Sequence, residues 1–232
     1  MVEESWLLPP SDLTLAPDEV QVWRVNLALS AEAVAAIAPL LDAQERDRAD
    51  RLRQPLHQHR FIASHAALRL VLSRYLDLPP DRLTFCYSDR GKPSLVEANL
   101  QFNLSHSGDI ALVAVRPNRL VGVDVEQIRP IEACQLAKQF FHPTEAEAIA
   151  ALPPPEQQTV FFRYWTAKEA YLKAIGVGIA NHLQEAISAV SDRGWSQWEL
   201  IVAPHYAAAV ATQTQGSAVQ LCCWQWDWSQ PV

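Results

Sequence analysis

Two short segments of this chain carry side chains able to hold a divalent cation against a phosphate. In Gly122-Val123-Asp124-Val125-Glu126 two carboxylates sit two positions apart among valines. A strand turns alternate side chains to one face, so Asp124 and Glu126 point together while Val123 and Val125 enter the core. In Trp165-Thr166-Ala167-Lys168-Glu169-Ala170-Tyr171-Leu172-Lys173 a third carboxylate stands between two lysines. Trp165, Glu169 and Lys173 share one helix face, and Lys168 lies about a quarter turn away. Magnesium takes oxygen ligands, a few of them carboxylates and the rest water or substrate phosphate, and manganese accepts the same donors. Three carboxylates and a diphosphate suit such an ion, with Lys173 on a neighbouring phosphate oxygen. The bland alternative makes Glu169 and Lys173 a surface i,i+4 ion pair, and Asp124 with Glu126 the polar face of an edge strand.

A third segment, Gln101-Phe102-Asn103-Leu104-Ser105-His106-Ser107-Gly108-Asp109, follows apolar strand residues with small polar groups and one histidine. That composition hydrogen-bonds phosphate or a purine ring. Gly91-Lys92-Pro93 precedes it, a turn with a cation at its tip. Further upstream Arg46, Arg48, Arg51, Arg53, Arg60, Arg69 and Arg74 fall in a stretch whose acids are Asp47 and Asp50. This local excess attracts a small polyphosphate or an acidic protein. It is equally a solvated helix face, with Asp47 and Asp50 paired to Arg51 and Arg53.

These residues need strands and helices to bring them together, and the pattern supplies both in alternation. A strand is expected over Val20 to Leu27, then a helix capped by Ser30 and running to about Leu41, with Pro39 shortening its end. A long helix runs from about Arg60 to Leu76, stopped by Leu78-Pro79-Pro80. Short strands follow at Leu83 to Tyr87 and Leu100 to Leu104, separated by a turn from Ser88 to Pro93. Ile110 to Val115 is expected to pair with Leu120 to Val125 as a hairpin around Pro117-Asn118. Helices at Ile131 to Phe141 and Pro143 to Leu152 precede the break Pro153-Pro154-Pro155. The helix with Lys168, Glu169 and Lys173 spans Gln157 to Ile175. From Ala186 to Trp228 the chain reads as strands with turns at Gly194 and Pro204, and Trp224, Trp226 and Trp228 alternate onto one strand face in the core. Arg60 to Ala67 echoes Arg163 to Ala170, which suggests two similar halves joined near residues 116 to 119 and a site in the cleft between them.

Composition narrows the class. The chain has 232 residues, 49% hydrophobic, enough for one large domain or two small ones. Cys86, Cys134, Cys222 and Cys223 show no CxxC spacing, against structural zinc and a disulfide framework, so a reduced cytoplasmic setting is expected. Acidic residues near Met1 oppose a signal peptide, no apolar run suits a membrane span, and no membrane role is expected. The net charge of −7 argues against nucleic acid as a partner.

Gly91-Lys92-Pro93, Phe102-Asn103-Leu104-Ser105-His106-Ser107, Gly122 to Glu126 and Trp165 to Lys173, in that order and spacing, resemble the motifs of the large, surfactin-synthetase-activating type of 4′-phosphopantetheinyl transferase. The resemblance implies an α/β (α+β) monomer of two pseudosymmetric halves, residues 1–118 and 119–232, each a small antiparallel sheet packed on a long helix. It implies coenzyme A as co-substrate, magnesium as cofactor, and transfer of the phosphopantetheine arm to a serine of an apo acyl- or peptidyl-carrier protein, itself generally acidic. By position Asp124, Glu126 and Glu169 match the metal ligands, and Lys168 and Lys173 the phosphate-contacting lysines. Glu169 and Lys173 match the catalytic pair, with Glu169 or a water as the base. Gly91, Lys92, Ser105 and His106 match residues around the adenosine and its 3′-phosphate. Glu45 falls where a basic residue is often found, which leaves Arg48, Arg53 and Arg60 as the 3′-phosphate cations. Two other classes share parts of this pattern. A non-catalytic coenzyme A module needs the cations without three carboxylates, and a magnesium-dependent phosphohydrolase uses water as nucleophile.

Overall fold

The computed structural model describes residues 6–96, 99–177, 183–184, 194–214, 216 and 218–229. Strand β1 (Glu19–Asn26) turns Val20 and Val22 to one face and Trp23 and Val25 to the other. Helix α1 (Ala31–Ile37) starts at Ser30, whose hydroxyl accepts from the Ala33 amide, and ends in a 3-10 turn at Pro39. Helix α2 (Ala43–Asp50) opens on a reciprocal capping box between Asp42 and Glu45. Helix α3 (Pro55–Leu76) begins more than a turn before the expected Arg60. Pro55 occupies the first turn, where its missing N–H and preset φ cost nothing. Strands β2 (Phe85–Tyr87) and β3 (Pro93–Leu95) form a hairpin over the Ser88 to Lys92 turn, with Gly91 at φ 78°.

Strand β4 (Leu100–Ser107) extends beyond the expected Leu104, so Ser105, His106 and Ser107 lie within a strand and alternate in facing. Strand β5 (Ile110–Pro117) pairs with β4 across the tight turn at Gly108, and with β1 on its other side. The expected hairpin between β5 and β6 (Val121–Gln127) is therefore not formed. Both edges of β5 are taken, and β6 pairs instead with β8 (Tyr206–Gln213), itself flanked by β7 (Trp195–Glu199). A final strand, β9 (Gln220–Gln225), returns to pair in parallel with β1. The sheet orders are β4-β5-β1-β9 and β6-β8-β7. The architecture is thus the mixed helix-and-sheet class expected, with one parallel pair. The chain passes between sheets at Asn118, while β9 rejoins the first.

Helices α4 (Ala133–Phe140), α5 (Pro143–Ala150) and α6 (Pro154–Ile175) complete the fold. The expected break falls between α5 and α6, at residues 151–153, but α6 begins at Pro154 rather than Gln157. Pro153 caps α6 and the next two prolines form its first turn. Trp226 and Trp228 lie past the end of β9, and all three tail indoles are half-buried against the core rather than ranked on one strand. Residues 186–193 of the expected tail strands lie outside the described residues.

Side-chain alternation stacks these parts in four layers. Val113, Val115, Phe102 and Trp23 meet Leu68, Val71 and Leu72 of α3. Val20, Val22, Leu112 and Ala114, on the opposite face, meet Val121, Val123, Val125, Ala208 and Val210 of the second sheet. The other face of that sheet offers Ala209 and Ala211 to Ala170 of α6. The sheet and α6 approach closely at Gly122. A Cβ there would strike the Ala170 carbonyl and the Ala174 backbone, neither of which is a movable side-chain end. Gly122→Ala is expected to destabilise the protein by about 3 kcal/mol, measured by urea denaturation, whereas Gly194→Ala meets no neighbour and loses only the φ advantage at 77°.

Candidate functional site

Strand β6 is the outer strand of its sheet, and one row of its backbone N–H groups finds no strand partner there. Side chains of β4 supply the acceptors. The Val123 amide donates to Asn103 Oδ1 (2.9 Å), the Val125 amide to Ser105 Oγ (3.4 Å) and the Gln127 amide to Ser107 Oγ (3.1 Å). The same hydroxyls donate onward. Ser105 Oγ reaches Asp124 Oδ1 and Ser107 Oγ reaches Glu126 Oε2, each at 2.8 Å. Asp124 and Glu126 do face the same way, toward α6, as the strand period requires.

Helix α6 brings the third carboxylate and a cation to this face. Lys173 Nζ donates to Asp124 Oδ1 (2.5 Å) and to Ser105 Oγ (2.9 Å), so it answers Asp124 across the layers and not Glu169 along its own helix. Glu169 is only 3% exposed, and so is Asp124, which rules out the surface ion-pair alternative. Asp124 Oδ2 and Glu169 Oε1 are buried without a hydrogen-bond partner. Burial, reinforced by the nearby Asp124 carboxylate, pushes Glu169 up to about 7. Burial also raises Glu126, against the hydrogen bond from Ser107. Among the described residues no three His, Cys, Asp or Glu side chains already converge on one point. The two orphaned oxygens and the all-oxygen donor set nonetheless fit a hard cation that draws the rest of its shell from water and substrate.

The opposite face of β4 borders a cavity of about 550 Å³ under α3, walled by Arg48, Arg60, His57, His65, His106 and the Gly91 backbone among others. Ser107 also lines it, so the cavity opens beside Glu126. Arg48 lies over the Phe61 ring at 5.6 Å, and Arg60 is bonded to Asp109 at 2.7 Å. Desolvation by the cavity wall first, then the nearby His65, Lys173, Arg60 and Arg48, lowers His106 to about 4, although one edge of the ring stays open to solvent and softens the effect.

The structure does not gather every residue singled out above. Arg53 is exposed and lies outside the cavity wall. Asp47 and Asp50 form no ion pair with Arg51 or Arg53, and Asp50 accepts from Gln58 instead. Lys92 Nζ donates to the Ala174 carbonyl (2.5 Å) near the end of α6, and desolvation lowers it to about 8. Lys168 is buried against Glu145 (2.9 Å) with its ammonium over Phe141, so it fastens α6 to α4 and α5. Asn103 and Ser107, expected only as part of a polar segment suited to phosphate or a purine ring, bond the β6 backbone instead. Their alternation with Ser105, opposite an acidic strand, was the available signal. Asp42, Glu45, His65 and Arg69 carried no local signal of their network, because its links join residues twenty or more positions apart.

Buried carboxylates with unpartnered oxygens, beside a cavity walled by arginines and histidines, suit a phosphorylated ligand. Residues 120–223 match the family model of the 4′-phosphopantetheinyl transferase superfamily, and residues 28–118 match that of the 4′-phosphopantetheinyl transferase N-terminal region. The chain is 42% identical over 225 residues to 4′-phosphopantetheinyl transferase HetI of Nostoc sp., covering 91% of this chain and 94% of that one. It is 30% identical over 182 residues to 4′-phosphopantetheinyl transferase psf-1 of Bacillus pumilus, covering 78% and 76%. With 4′-phosphopantetheinyl transferase Sfp of Bacillus subtilis it shares 29% over 153 residues, covering 66% and 67%. The chain belongs to the 4′-phosphopantetheinyl transferase superfamily, and is an enzyme that transfers phosphopantetheine from coenzyme A to carrier proteins. No helix among the described residues is long and apolar enough to cross a membrane.

The depressed His106 sets a pH dependence. Its folded value of about 4 lies below the ordinary 6.5, so the unfolded chain binds the extra proton first and stability falls as pH drops from 6.5 toward 4. The ring is exposed, so solvent screening keeps this loss below about 1 kcal/mol between pH 7 and pH 5. The raised Glu126 and Glu169 act in the opposite sense, since their folded forms hold the proton more tightly. Thermal denaturation at the two pH values should therefore show a smaller acid-induced loss in His106→Gln than in the parent protein.

Proposed function

We propose that this enzyme moves the 4′-phosphopantetheine arm of coenzyme A to a serine hydroxyl of an apo acyl- or peptidyl-carrier protein and releases adenosine 3′,5′-bisphosphate. Asp124, Glu126 and Glu169 hold magnesium, or manganese, for this reaction. The observation that carries the reading is the pair of buried, unpartnered oxygens, Asp124 Oδ2 and Glu169 Oε1, on carboxylates close enough for the charge of Asp124 to raise Glu169, with Lys173 bonded to Asp124. A divalent cation held by these carboxylates would supply charge neutralisation at the diphosphate and its leaving group.

The chain's own groups do the rest. The serine oxygen forms the new bond to the pantetheine-side phosphorus, and the bond from that phosphorus to the bridging oxygen breaks. Lys173 screens the charge that gathers on the leaving oxygen. Glu169 receives the serine proton, directly or through a water. Ser105, Ser107 and Asn103 keep the β6 carboxylates in register. Arg48, Arg60, His106 and the Gly91 backbone receive the adenosine end in the cavity. Arg53 and Lys168 have no part in this reading, the first being exposed and the second taken by Glu145.

Intact mass spectrometry of apo carrier proteins incubated with the enzyme, coenzyme A and magnesium tests the reading. One phosphopantetheine per carrier serine is expected, and chelator should abolish it. Glu169→Gln is expected to lower turnover by about 100-fold or more with little change in coenzyme A affinity. Loss of affinity with turnover intact would make Glu169 a binding group only. Breakdown of coenzyme A without any carrier would support the phosphohydrolase.

A further inference from the structure

Glu45 is an unexpected residue in the wall of a cavity built for an anion. It is 2% exposed, yet its carboxylate does not face the cavity as a free charge. Arg69, fully buried, donates to Glu45 Oε2 (2.7 Å) and to Asp42 Oδ2 (2.7 Å), and is anchored further by the Pro80 and Leu83 carbonyls, each at 3.0 Å. The second carboxylate oxygen, Oε1, bonds His65 Nδ1 at 3.0 Å. Burial alone would raise Glu45, but His65 and Arg69 outweigh it and hold the carboxylate below its usual range. A charged acceptor at Nδ1 makes that nitrogen the donor and fixes the ring orientation. Stacking on Phe61, with ring centroids 4.0 Å apart, holds the imidazole from its flat side.

The other edge of the ring therefore has a determined direction. His65 borders both the main cavity and an adjoining hollow of about 420 Å³ that also contains Arg48 and Arg51. It stands beside Arg48 at the join of the two spaces. We propose that His65, oriented by the Arg69–Glu45 pair, is a specificity-determining residue that contacts the 3′-phosphate of coenzyme A through Nε2. Glu45 then does not cancel a cation of the site. It orients one, supplying through a histidine what a lysine or arginine at position 45 would supply directly. The contact uses the ring with both nitrogens as donors, Nδ1 to Glu45 and Nε2 to a phosphate oxygen.

This inference rests on the reading that the adenosine end of coenzyme A occupies the cavity, and the test separates the two. Steady-state KM and kcat are measured with coenzyme A and with 3′-dephospho-coenzyme A, using an apo carrier protein as acceptor. In His65→Asn the side-chain amide keeps the donor to Glu45 but places nothing where Nε2 was. It is expected to raise KM for coenzyme A about tenfold, with kcat and the KM for the dephospho form unchanged. His65→Gln, which reaches toward the Nε2 position without a full charge, should show a smaller rise with the same selectivity. An equal rise for both substrates in either variant, or no rise, overturns the role of His65. If Arg48→Ala then still loses discrimination between the substrates, the cavity reading stands without His65. If the parent enzyme itself does not distinguish the two substrates, the cavity reading fails as well.

Discussion

The interaction on which the rest depends is the side-chain ladder from β4 to β6. An edge strand exposes amides that must find acceptors, and here Asn103, Ser105 and Ser107 provide them at alternate positions. The two sheets are thereby joined without a shared strand ladder at that edge. The serine hydroxyls that accept from the β6 backbone also donate to Asp124 and Glu126, so one set of bonds both docks the sheets and aims the carboxylates. Hydroxyls suit this role because each can accept and donate at once.

Strand β4 divides two chemical environments by its pleat, and they meet at Ser107, which also lines the cavity. Its odd-numbered residues Asn103, Ser105 and Ser107 meet the second sheet and the acids, while Leu104 and His106 turn toward α3 and the cationic cavity. Two residues of one motif, Ser105 and His106, thus serve opposite faces. Close approach of α6 completes the acidic side, which is why small residues recur there. Gly122 in β6 and Ala209 and Ala211 in β8 leave room for the helix that brings Glu169 and Lys173.

Local pattern made much of this legible. The valine-acid alternation placed Asp124 and Glu126 on one face, and the four-residue period placed Glu169 and Lys173 together on a helix. Ser30, Pro39 and the stop after Leu76 marked ends that the structure keeps. Pairing was harder to read. A short Pro-Asn connection looks like a hairpin, yet β5 already has β4 and β1 on its two edges, and no local signal reports an occupied edge. Proline marked the boundary between α5 and α6 but hid how early α6 starts, because Pro154 and Pro155 fit the first turn, which needs no N–H.

Lysines were the least legible residues, since charge and spacing do not say which partner a flexible side chain will meet. Lys168 and Lys173 belong to one motif, but Lys168 is buried against Glu145 while Lys173 reaches Asp124. Lys92 closes on the end of α6, and Glu45 becomes the middle of a chain from Arg69 to His65. The sequence by itself determined the order of elements, the carboxylate set and the cationic stretch, because strand and helix periods act over a few residues. Which oxygens stay unpartnered, which cations are already paired and where the cavity lies were decided only by the tertiary structure. Those properties come from burial and from contacts between residues tens of positions apart, and a local period carries no information about either.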